Sequence, residues 1–337
     1  MDKRNQGPAK FVEVSEYGAG KQNAWAIASG FVGASVFSSM YYIAPTVMIA
    51  SIVLSLWYLF ECMVSGFVAP STWTLVFTVP FYTSMLLPRF SLPGAMAVWP
   101  FKHVPAYFNY TEVREFSVEE GLSMMKRRPL IGACHPHGVF SFGGLASAVA
   151  SLGSWYEPEN MPLAAATSVL ATPILKHLLG IFSLVPASRS SLRQVIGRER
   201  RSVVLYPGGI AELFASHPEE EILYARKRRG HIKMALTSGA DILPVYFIGN
   251  TRTLVLLNNG LLRFLARATG ISLTVFWGAK LFGFIPTPCP SREKIVGVFG
   301  KPLGMPMLDM EQYPEGLRPM ATIRCVCFER RDVLPCP

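Results

Sequence analysis

The stretch PLIGACHPHGVFSFGG, residues 129–144, joins a short apolar run to two histidines, a proline and several glycines. Short apolar runs that end in Gly, Pro or Ser are typical of buried strands. Four more runs show this pattern: 162–167, 202–207, 242–249 and 294–300. Helix-length segments lie between them, among them 169–180 and 229–240. The alternation predicts an α/β sandwich with a mostly parallel sheet, whose sites gather at the carboxyl ends of strands. His135 and His137 follow directly on one such strand.

The composition indicates a chain that is partly in contact with lipid. Half of the 337 residues are hydrophobic and only 16% are charged, whereas soluble domains average about 25% charged. The formal net charge is +10, which favours partners that carry phosphate or an anionic membrane surface. The sequence has no zinc-finger spacing, RNP-like strand or basic heptads, so a nucleic-acid partner is not expected.

An apolar region near the N-terminus predicts a membrane hairpin. No charged residue lies between Lys21 and Glu61, and none between Glu61 and Arg89. A spanning helix needs about 20 apolar residues, and the stretches of about 41–60 and 64–87 both reach that length. The region therefore predicts two helices joined near Glu61.

Basic residues flank this region on both sides, which predicts that both ends of the hairpin lie in the cytosol. The predicted organisation is a cytosolic segment at 1–23, a membrane hairpin at 24–90 and an α/β domain at 95–337. Spanning and re-entrant hairpins both fit the pattern. The alternative is a hairpin buried in the core of a soluble protein.

His135-Pro136-His137-Gly138 is the first candidate site. Proline fixes its own φ and favours an extended residue before it, and glycine allows close approach of a substrate to the backbone. A neutral imidazole held there is suited to general-base chemistry on a hydroxyl. A metal site and a structural turn are the alternatives, and no second histidine cluster supplies further ligands.

Neither the serines nor the cysteines of the sequence make a stronger site. Ser141 does not lie in a G-x-S-x-G motif, so it is a weak nucleophile candidate. The six cysteines are irregularly spaced and do not form paired metal ligands. They are expected to be buried or free thiols in a reducing compartment.

The stretch LYPGGIAELF, residues 205–214, is the second candidate. Gly208 and Gly209 follow a predicted strand, where backbone N–H groups can hold an oxyanion or a phosphate. Glu212 could orient the imidazole or the acceptor hydroxyl, or could be a first-turn glutamate favoured by the helix dipole. Both interpretations stay open.

A run of basic residues is the third candidate. Arg226, Arg228 and Arg229 lie with Lys227 just before an amphipathic segment, and such a cluster can bind phosphates. Arg189, which follows a strand-like run, adds little on its own. A solvated charged surface is the alternative.

These pieces, in this order, resemble the type-2 diacylglycerol acyltransferase family, which includes monoacylglycerol and wax-alcohol acyltransferases. The similar stretches are AYFNY (106–110), CHPHGVFSFG (134–143), VPASR (185–189), YPGGIAELF (206–214), RKRRGHIKMALTSGADILPVYFIGN (226–250) and VFGKPLGMP (298–306). Three positions differ from the family pattern: Asn109 replaces Pro, His231 replaces Phe, and 247–250 lacks a Glu.

The resemblance implies an acyltransferase-type α/β fold and transfer of a fatty acyl group from acyl-CoA to diacylglycerol. The expected product is triacylglycerol. The expected location of the protein is the endoplasmic reticulum membrane, with lipid droplets as a further possible site. No metal or bound organic cofactor is expected. The resemblance also matches His137 to the family's proposed catalytic histidine and Glu212 to the acidic residue of its glycine-rich block, and the remaining roles are expected from the residue types themselves. The catalytic set is His137, His135 and Glu212, the backbone donors are Gly138, Gly208 and Gly209, and the acyl-CoA or phosphate contacts are Arg189, Arg226, Arg228, Arg229 and Lys233.

Distantly similar glycerophosphate acyltransferases have an Asp five positions after the histidine, where this chain has Phe142. The partner that orients His137 is therefore not given by the sequence. Monoacylglycerol or a long-chain alcohol is the alternative acceptor. The more distant alternatives are a lipid hydrolase and an inactive lipid-binding membrane protein.

Overall fold

The computed structural model describes residues 13–17, 23–224, 228–269 and 274–307. A six-stranded sheet forms its centre, with the order β1-β2-β12-β7-β3-β6. The strands are β1 (Glu13–Tyr17), β2 (Tyr110–Arg114), β3 (Leu130–His135), β4 (Ala164–Ala165), β5 (Val185–Pro186), β6 (Val203–Leu205), β7 (Asp241–Ile248), β8 (Val255–Leu256), β9 (Phe276–Trp277), β10 (Lys280–Leu281), β11 (Ile285–Pro286) and β12 (Val296–Phe299).

The central sheet is mostly parallel, as the sequence predicted. Its parallel pairs are β2 with β12, β7 with β3, and β3 with β6. The pairs of β1 with β2 and of β12 with β7 are antiparallel. Strand β3 lies between two parallel partners and is buried over residues 130–134. This burial explains its continuous apolar sequence, because strands covered on both faces do not alternate.

Four of the five predicted strand runs lie in this sheet. The exception is 162–167, where only Ala164–Ala165 forms a strand, and it pairs with Val185–Pro186 in a separate two-stranded sheet. Leu163 makes one isolated bridge to Val204 of β6 before the chain turns away. The apolar run therefore forms a brief side sheet rather than a seventh central strand.

Helices cover both faces of the sheet. The α-helices are α1 (Ala24–Ser65), α2 (Thr72–Leu86), α3 (Val104–Tyr107), α4 (Val118–Arg127), α5 (Phe142–Ala150), α6 (Thr167–Ala171), α7 (Leu175–Leu178), α8 (Arg189–Leu192), α9 (Gly209–Leu213), α10 (Gly230–Ser238) and α11 (Gly260–Thr269). Short 3₁₀ turns lie at Pro93–Ala97, Phe101–His103, Leu179–Phe182 and Asn250–Arg252, and Arg193–Arg198 forms a π-helix.

Two apolar clusters define the layers. The larger cluster contains residues of α5 and the long N-terminal helix, and the smaller one contains residues of α10 and the π-helix. Ile131 and Ala133 of β3 belong to the smaller cluster, whereas Leu130 and Cys134 belong to the larger one. The strand thus sends alternate side chains to opposite faces. The predicted α/β sandwich is confirmed.

The N-terminal helices differ from the predicted bounds of 41–60 and 64–87. Helix α1 runs through 42 residues from Ala24, where the Asn23 side chain accepts the N–H of Trp25, and α2 has 15 residues. The predicted hairpin region begins at residue 24, as α1 does, but the first helix was expected only at about 41–60, and the additional first half of α1 packs on protein. A side chain at Gly30 or Gly33 would collide with the backbone of residues 100–103.

The second half of α1 and most of α2 present apolar side chains on the surface. Leu56, Phe60 and Met63 of α1 are exposed, as are Trp73 and Leu86 of α2. Helix α1 is long and apolar enough to cross a membrane, whereas α2 falls short of a spanning length. The two helices contact each other, with the Ser51 hydroxyl donating to the Phe77 carbonyl at 2.8 Å. We call residues from 93 onward the α/β body and residues 45–86 the hairpin.

Candidate active site

The loop after β3 holds the two histidines at the carboxyl edge of the sheet. His135 is the last residue of β3, and the following bond to Pro136 is cis. Gly138 has φ of 61°, in the left-handed region. A Cβ there would also lie 2.7 Å from the Asn250 amide nitrogen. This position therefore requires glycine, both for its backbone conformation and for space.

Glu212 anchors this loop from α9. Its carboxylate accepts the backbone N–H of His137 at 2.7 Å and lies 3.3 Å from Nδ1 of His135. It also accepts the backbone N–H of Tyr224 at 3.4 Å. The sequence left open whether Glu212 orients an imidazole or only caps a helix, and the structure brings it onto the histidine loop.

The environment of Glu212 favours its charged form. The side chain is only 1% exposed, and this burial raises the pKa of the carboxyl. The hydrogen bond and charge of His135, with the N–H groups of His137 and Tyr224, outweigh burial and lower the pKa of Glu212 below its ordinary value. The carboxylate is thus ionised and fully engaged in holding the loop.

The imidazole of His137 is oriented by the backbone rather than by a carboxylate. Its Nδ1 lies 2.9 Å from the Gly138 carbonyl. Only a protonated Nδ1 can make this hydrogen bond, so Nε2 carries the lone pair in the neutral ring. The ring also contacts Tyr206 edge to face, with centroids 5.3 Å apart. Burial lowers the pKa of His137, and this favours the neutral ring near pH 7.

An apolar cavity of about 290 Å³ opens beside His137. It lies between α5 and the sheet, with Gly132, Cys134 and Val245 on the sheet side and Leu145 and Ala148 on the helix side. Burial raises the pKa of the Cys134 thiol to about 12, so this cysteine is uncharged. The cavity is therefore suited to a hydrocarbon chain next to a base.

Gly208 and Gly209, which precede Glu212, differ in whether their backbone N–H groups are already hydrogen-bonded. A Cβ on Gly208 would overlap the Glu212 carboxylate, so Gly208 lets that side chain fold back. The N–H of Gly209 donates to the Tyr206 carbonyl at 3.2 Å. The prediction that Gly209 supplies an oxyanion donor is thus corrected, because a turn uses its N–H. In the described residues, Gly138 and Gly208 have no recorded acceptor for theirs.

The predicted phosphate-binding residues that the structure describes lie near the site. Arg228 and Arg229 precede α10, Lys233 lies in its first turn, and all three are exposed. Arg189 is exposed at the start of α8, two residues after Ala187, which lines the cavity. Arg226 falls outside the described residues.

Sequence reasoning missed Asn250 as a site residue. Its side-chain oxygen accepts the Gly143 N–H at 3.0 Å, and its amide nitrogen lies 3.3 Å from the carbonyls of Pro136 and His137. Asn250 therefore ties the histidine loop to the start of α5. The only signal in the sequence was its place in the block 247–250, which departs from the family pattern by lacking a glutamate.

His231 was noted only as a departure from the family pattern. Burial and the nearby His135 lower its pKa to about 4, so His231 is neutral and close to the histidine loop. Ser141, the weak nucleophile candidate, accepts the Tyr206 hydroxyl at 2.7 Å and the Gly144 N–H at 3.2 Å. These contacts make Ser141 a helix cap and a brace for Tyr206.

The fold and the site together define an α/β protein with a buried histidine beside an apolar cavity at the carboxyl edge of its sheet. The profile of the family described as Diacylglycerol acyltransferase matches residues 90–312, well over half of the chain. The chain belongs to the type-2 diacylglycerol acyltransferase family, as its motifs predicted.

Several curated relatives are similar over part of their length. The chain is 30% identical to human 2-acylglycerol O-acyltransferase 3 over 53% of this chain and 56% of that one. It is 26% identical to diacylglycerol O-acyltransferase 2B of Umbelopsis ramanniana, over 65% and 64%. Human diacylglycerol O-acyltransferase 2 is 26% identical, over 56% and 52%. The match thus spans between half and two thirds of each relative.

One solved structure is weakly similar. The 1-acyl-sn-glycerophosphate acyltransferase PlsC from Thermotoga maritima aligns with a TM-score of 0.32 and 13% identity, over 83% of this chain and 94% of that one. That score is too low to establish a shared fold.

Proposed function

We propose that this chain is an acyl-CoA-dependent O-acyltransferase that esterifies diacylglycerol to triacylglycerol. Membership of the family supports the reaction class. The observation that carries the assignment is the position of His137, whose unprotonated Nε2 and apolar cavity suit a base acting on a lipid hydroxyl. Glu212 and His135 are positioning residues in this proposal, since Glu212 bonds the backbone rather than the ring of His137.

The reaction follows from this geometry. Nε2 of His137 takes the proton of the acceptor hydroxyl as that oxygen attacks the thioester carbonyl carbon. The tetrahedral intermediate collapses, the carbon–sulfur bond breaks, and His137 returns the proton to the departing thiolate. The N–H groups of Gly138 and Gly208 are the donors we assign to the developing oxyanion. No metal or bound organic cofactor takes part in this scheme.

The remaining parts of the substrates have matching surfaces. The acyl chain occupies the apolar cavity beside His137. The phosphates of acyl-CoA meet three cations at the N-terminal end of α10: Arg228, Arg229 and Lys233. Arg226 is a further contact in this proposal. Arg189 is another, since it lies two residues after Ala187 of the cavity lining. A helix N-terminus adds a favourable field for these anions.

The acceptor has three candidates. Relatives carry both diacylglycerol and 2-acylglycerol O-acyltransferase names. Monoacylglycerol is thus the second candidate acceptor, favoured by the 30% identity to a 2-acylglycerol enzyme. A long-chain alcohol is the third.

We also propose that the hairpin anchors the chain in the endoplasmic reticulum membrane, with both ends in the cytosol and access to lipid droplets. Its support is the exposed apolar surface of α1 and α2, together with basic residues before and after it. The glyceride would then reach the site from the bilayer.

Microsomes that express the chain test the reaction and the acceptor together. They receive labelled oleoyl-CoA with diacylglycerol, monoacylglycerol or hexadecanol, with a His137→Ala variant alongside. We expect label in triacylglycerol and a loss of about 10²- to 10⁴-fold in the variant, the usual contribution of a positioned base. Membrane association of the variant should be unchanged.

The other outcomes are equally informative. Label in diacylglycerol would identify monoacylglycerol as the acceptor, and label in wax ester would identify the long-chain alcohol. Either result would leave the proposed mechanism unchanged. Label only in free fatty acid would identify a hydrolase. Full activity of His137→Ala would contradict the assignment of the base.

A further inference from the structure

A second cavity, of about 720 Å³, lies where the end of the hairpin meets the α/β body. We call it the hairpin-base cavity. Residues 85–91 form one wall, and Leu170, Lys176, Gly180, residues 183–185 and Arg201 form the other. The proposed acyl transfer leaves this cavity unassigned.

The lining carries three cations and, in the described part of the chain, no carboxylate. Arg89 is exposed and has no recorded hydrogen bond or ion pair to the described residues. The ammonium of Lys176 donates to the Leu87 carbonyl at 2.9 Å, which leaves its charge uncompensated. Arg201 pairs with Glu199 at 3.0 Å and also donates to the Glu159 carbonyl, and neither glutamate lines the cavity. An excess of positive charge therefore faces the cavity.

The walls are held in place by direct contacts. The Phe90 ring stacks on His177 with centroids 4.6 Å apart, and the Leu92 N–H donates to the Gly180 carbonyl at 3.3 Å. A Cβ at Gly180 would lie 2.3 Å from the Phe90 carbonyl, so the two segments meet at a glycine. These contacts fix the two backbone segments that form the walls, and the bond to the Leu87 carbonyl orients Lys176 in addition. Both lower the entropy cost of binding a ligand.

The cavity also borders an apolar surface. Met85, Leu86 and Leu87 lie in its wall and are 53%, 85% and 47% exposed. Two hydroxyls, those of Ser91 and Ser183, lie in the lining as well and hydrogen-bond to each other. Cations and hydroxyls beside exposed hydrocarbon match a molecule with a phosphate at one end and acyl chains at the other.

We propose that the hairpin-base cavity binds the phosphate headgroup of an anionic phospholipid, with its acyl chains along the end of α2. The phosphate oxygens accept from Arg89, Lys176 and Arg201. Leu184 lines both this cavity and the apolar cavity beside His137. A bound headgroup thus touches a residue of the wall between the two cavities.

Native mass spectrometry of the full purified chain in detergent tests this binding. The chain is titrated with dioleoyl phosphatidic acid and, separately, with dioleoyl phosphatidylcholine. The test variant is Arg89→Gln with Lys176→Gln, which removes two charges and keeps amide donors. The matched control is Lys126→Gln with Arg263→Gln, two exposed cations that do not line this cavity.

We expect one phosphatidic acid per chain, weak phosphatidylcholine binding, and an apparent affinity at least about tenfold lower in the test variant than in the control. Equal affinity in the two variants, or equal binding of both lipids, would overturn the proposal. Displacement of phosphatidic acid by equimolar inorganic phosphate would contradict the proposal that the ligand is a lipid. Displacement by coenzyme A would also overturn the proposal, because the cavity would then be a coenzyme A site.

The proposed acyl transfer is tested separately. The double variant at Arg89 and Lys176 should retain transferase activity in vesicles of phosphatidylcholine alone. A chain without any transferase activity would still give a clear result in the lipid titration. The two proposals can therefore fail independently.

Discussion

Glu212 shows how a buried carboxylate can serve a histidine without touching its reactive ring. It holds the backbone N–H of His137 at 2.7 Å, and the ring of that histidine is oriented by the Gly138 carbonyl instead. Five positions after His137 the chain has Phe142, and the carboxylate on the histidine loop comes from Glu212 of α9 instead. Glu212 can reach this loop because β3 and β6, which lead into the two segments, are parallel neighbours in the sheet.

The pH dependence of turnover follows from the charges around His137. Burial lowers the pKa of the imidazole, and the charge of Glu212 opposes that fall. The neutral base therefore persists somewhat below pH 6.5, and activity should be lost only as the pH falls through the lowered pKa. A Glu212→Gln variant removes the opposing charge, so the acid limb of kcat/KM should move to still lower pH.

Activity of Glu212→Gln at its optimum should also fall, by about tenfold or more, because a hydrogen bond to a charged group contributes about 1.5–3 kcal/mol. Profiles of kcat/KM from pH 5 to 9 measure both effects, with the exposed Glu219→Gln as the matched control. A reduced rate with an unmoved acid limb would mean that Glu212 supports the fold and has no electrostatic link to the base.

Residues near the site were predictable only where the signal was local. His135, His137 and Glu212 follow predicted strands directly, and the rule that parallel strands end at one edge brings them together. Asn250 contacts Gly143, 107 positions earlier in the chain, and no pattern in the sequence encodes that distance. No sequence pattern predicts the position of His231 either. It lies near His135 because α10 begins beside the histidine loop.

At the scale of elements, the sequence predicted strands better than helices. Four of the five apolar runs lie in the sheet, because burial on both faces leaves a clear run of apolar residues. The segment 169–180 was expected to be one helix, but it breaks between Ala171 and Leu175. Pro173 has no N–H to continue the helix, and Ile174 takes a positive φ of 67°.

Helix α1 illustrates what hydropathy leaves out. Its whole length lacks charge before Glu61, but its first half packs on protein and its second half exposes hydrocarbon. The difference comes from small residues. Gly30 and Gly33 allow the helix backbone to approach residues 100–104, and Phe37 then fills the interior beside Phe101 and Phe182.

A single methyl group should therefore loosen α1 from the body. The Cβ of a Gly30→Ala variant would lie 2.2 Å from the His103 carbonyl oxygen, so one of the two segments must move. We expect a cost of about 1–3 kcal/mol, the usual range for overpacking, and a lower Tm in detergent. Gly94→Ala is the control, because a Cβ there meets nothing within 4 Å. Equal Tm values for the two variants would contradict this packing.

Across the whole molecule, α1 connects the hairpin to the site. Tyr41 lies near the point where α1 emerges from the body, and it lines the cavity beside His137. Its ring packs edge to face on Phe140, in the loop that follows Gly138. We expect a lipid that moves along the exposed half of α1 to reach this cavity, so the proposed anchor would also take part in substrate delivery.

The length of the exposed half of α1 decides how deep the hairpin reaches. Residues 45–65 would extend about 31 Å at about 1.5 Å per residue, close to the roughly 30 Å hydrocarbon core. Glu61 would then lie near the opposite face of the bilayer, where its carboxylate, which accepts the Trp57 indole N–H at 2.7 Å, can reach water. The second half of α1 is thus long enough to cross the whole core, whereas the 15 residues of α2, about 22 Å long, are not.

Cys62, next to Glu61 and half-buried, offers a direct measurement. In sealed microsomes, a variant with Cys62 as its single cysteine should react with a membrane-impermeant maleimide only after the opposite face is opened. A single-cysteine control with exposed Glu119→Cys on the body should react without opening. If only a lipid-soluble maleimide labels Cys62, and the impermeant reagent does not react even after opening, the turn lies inside the hydrocarbon. A thiol at that depth does not meet an aqueous reagent from either side of the membrane.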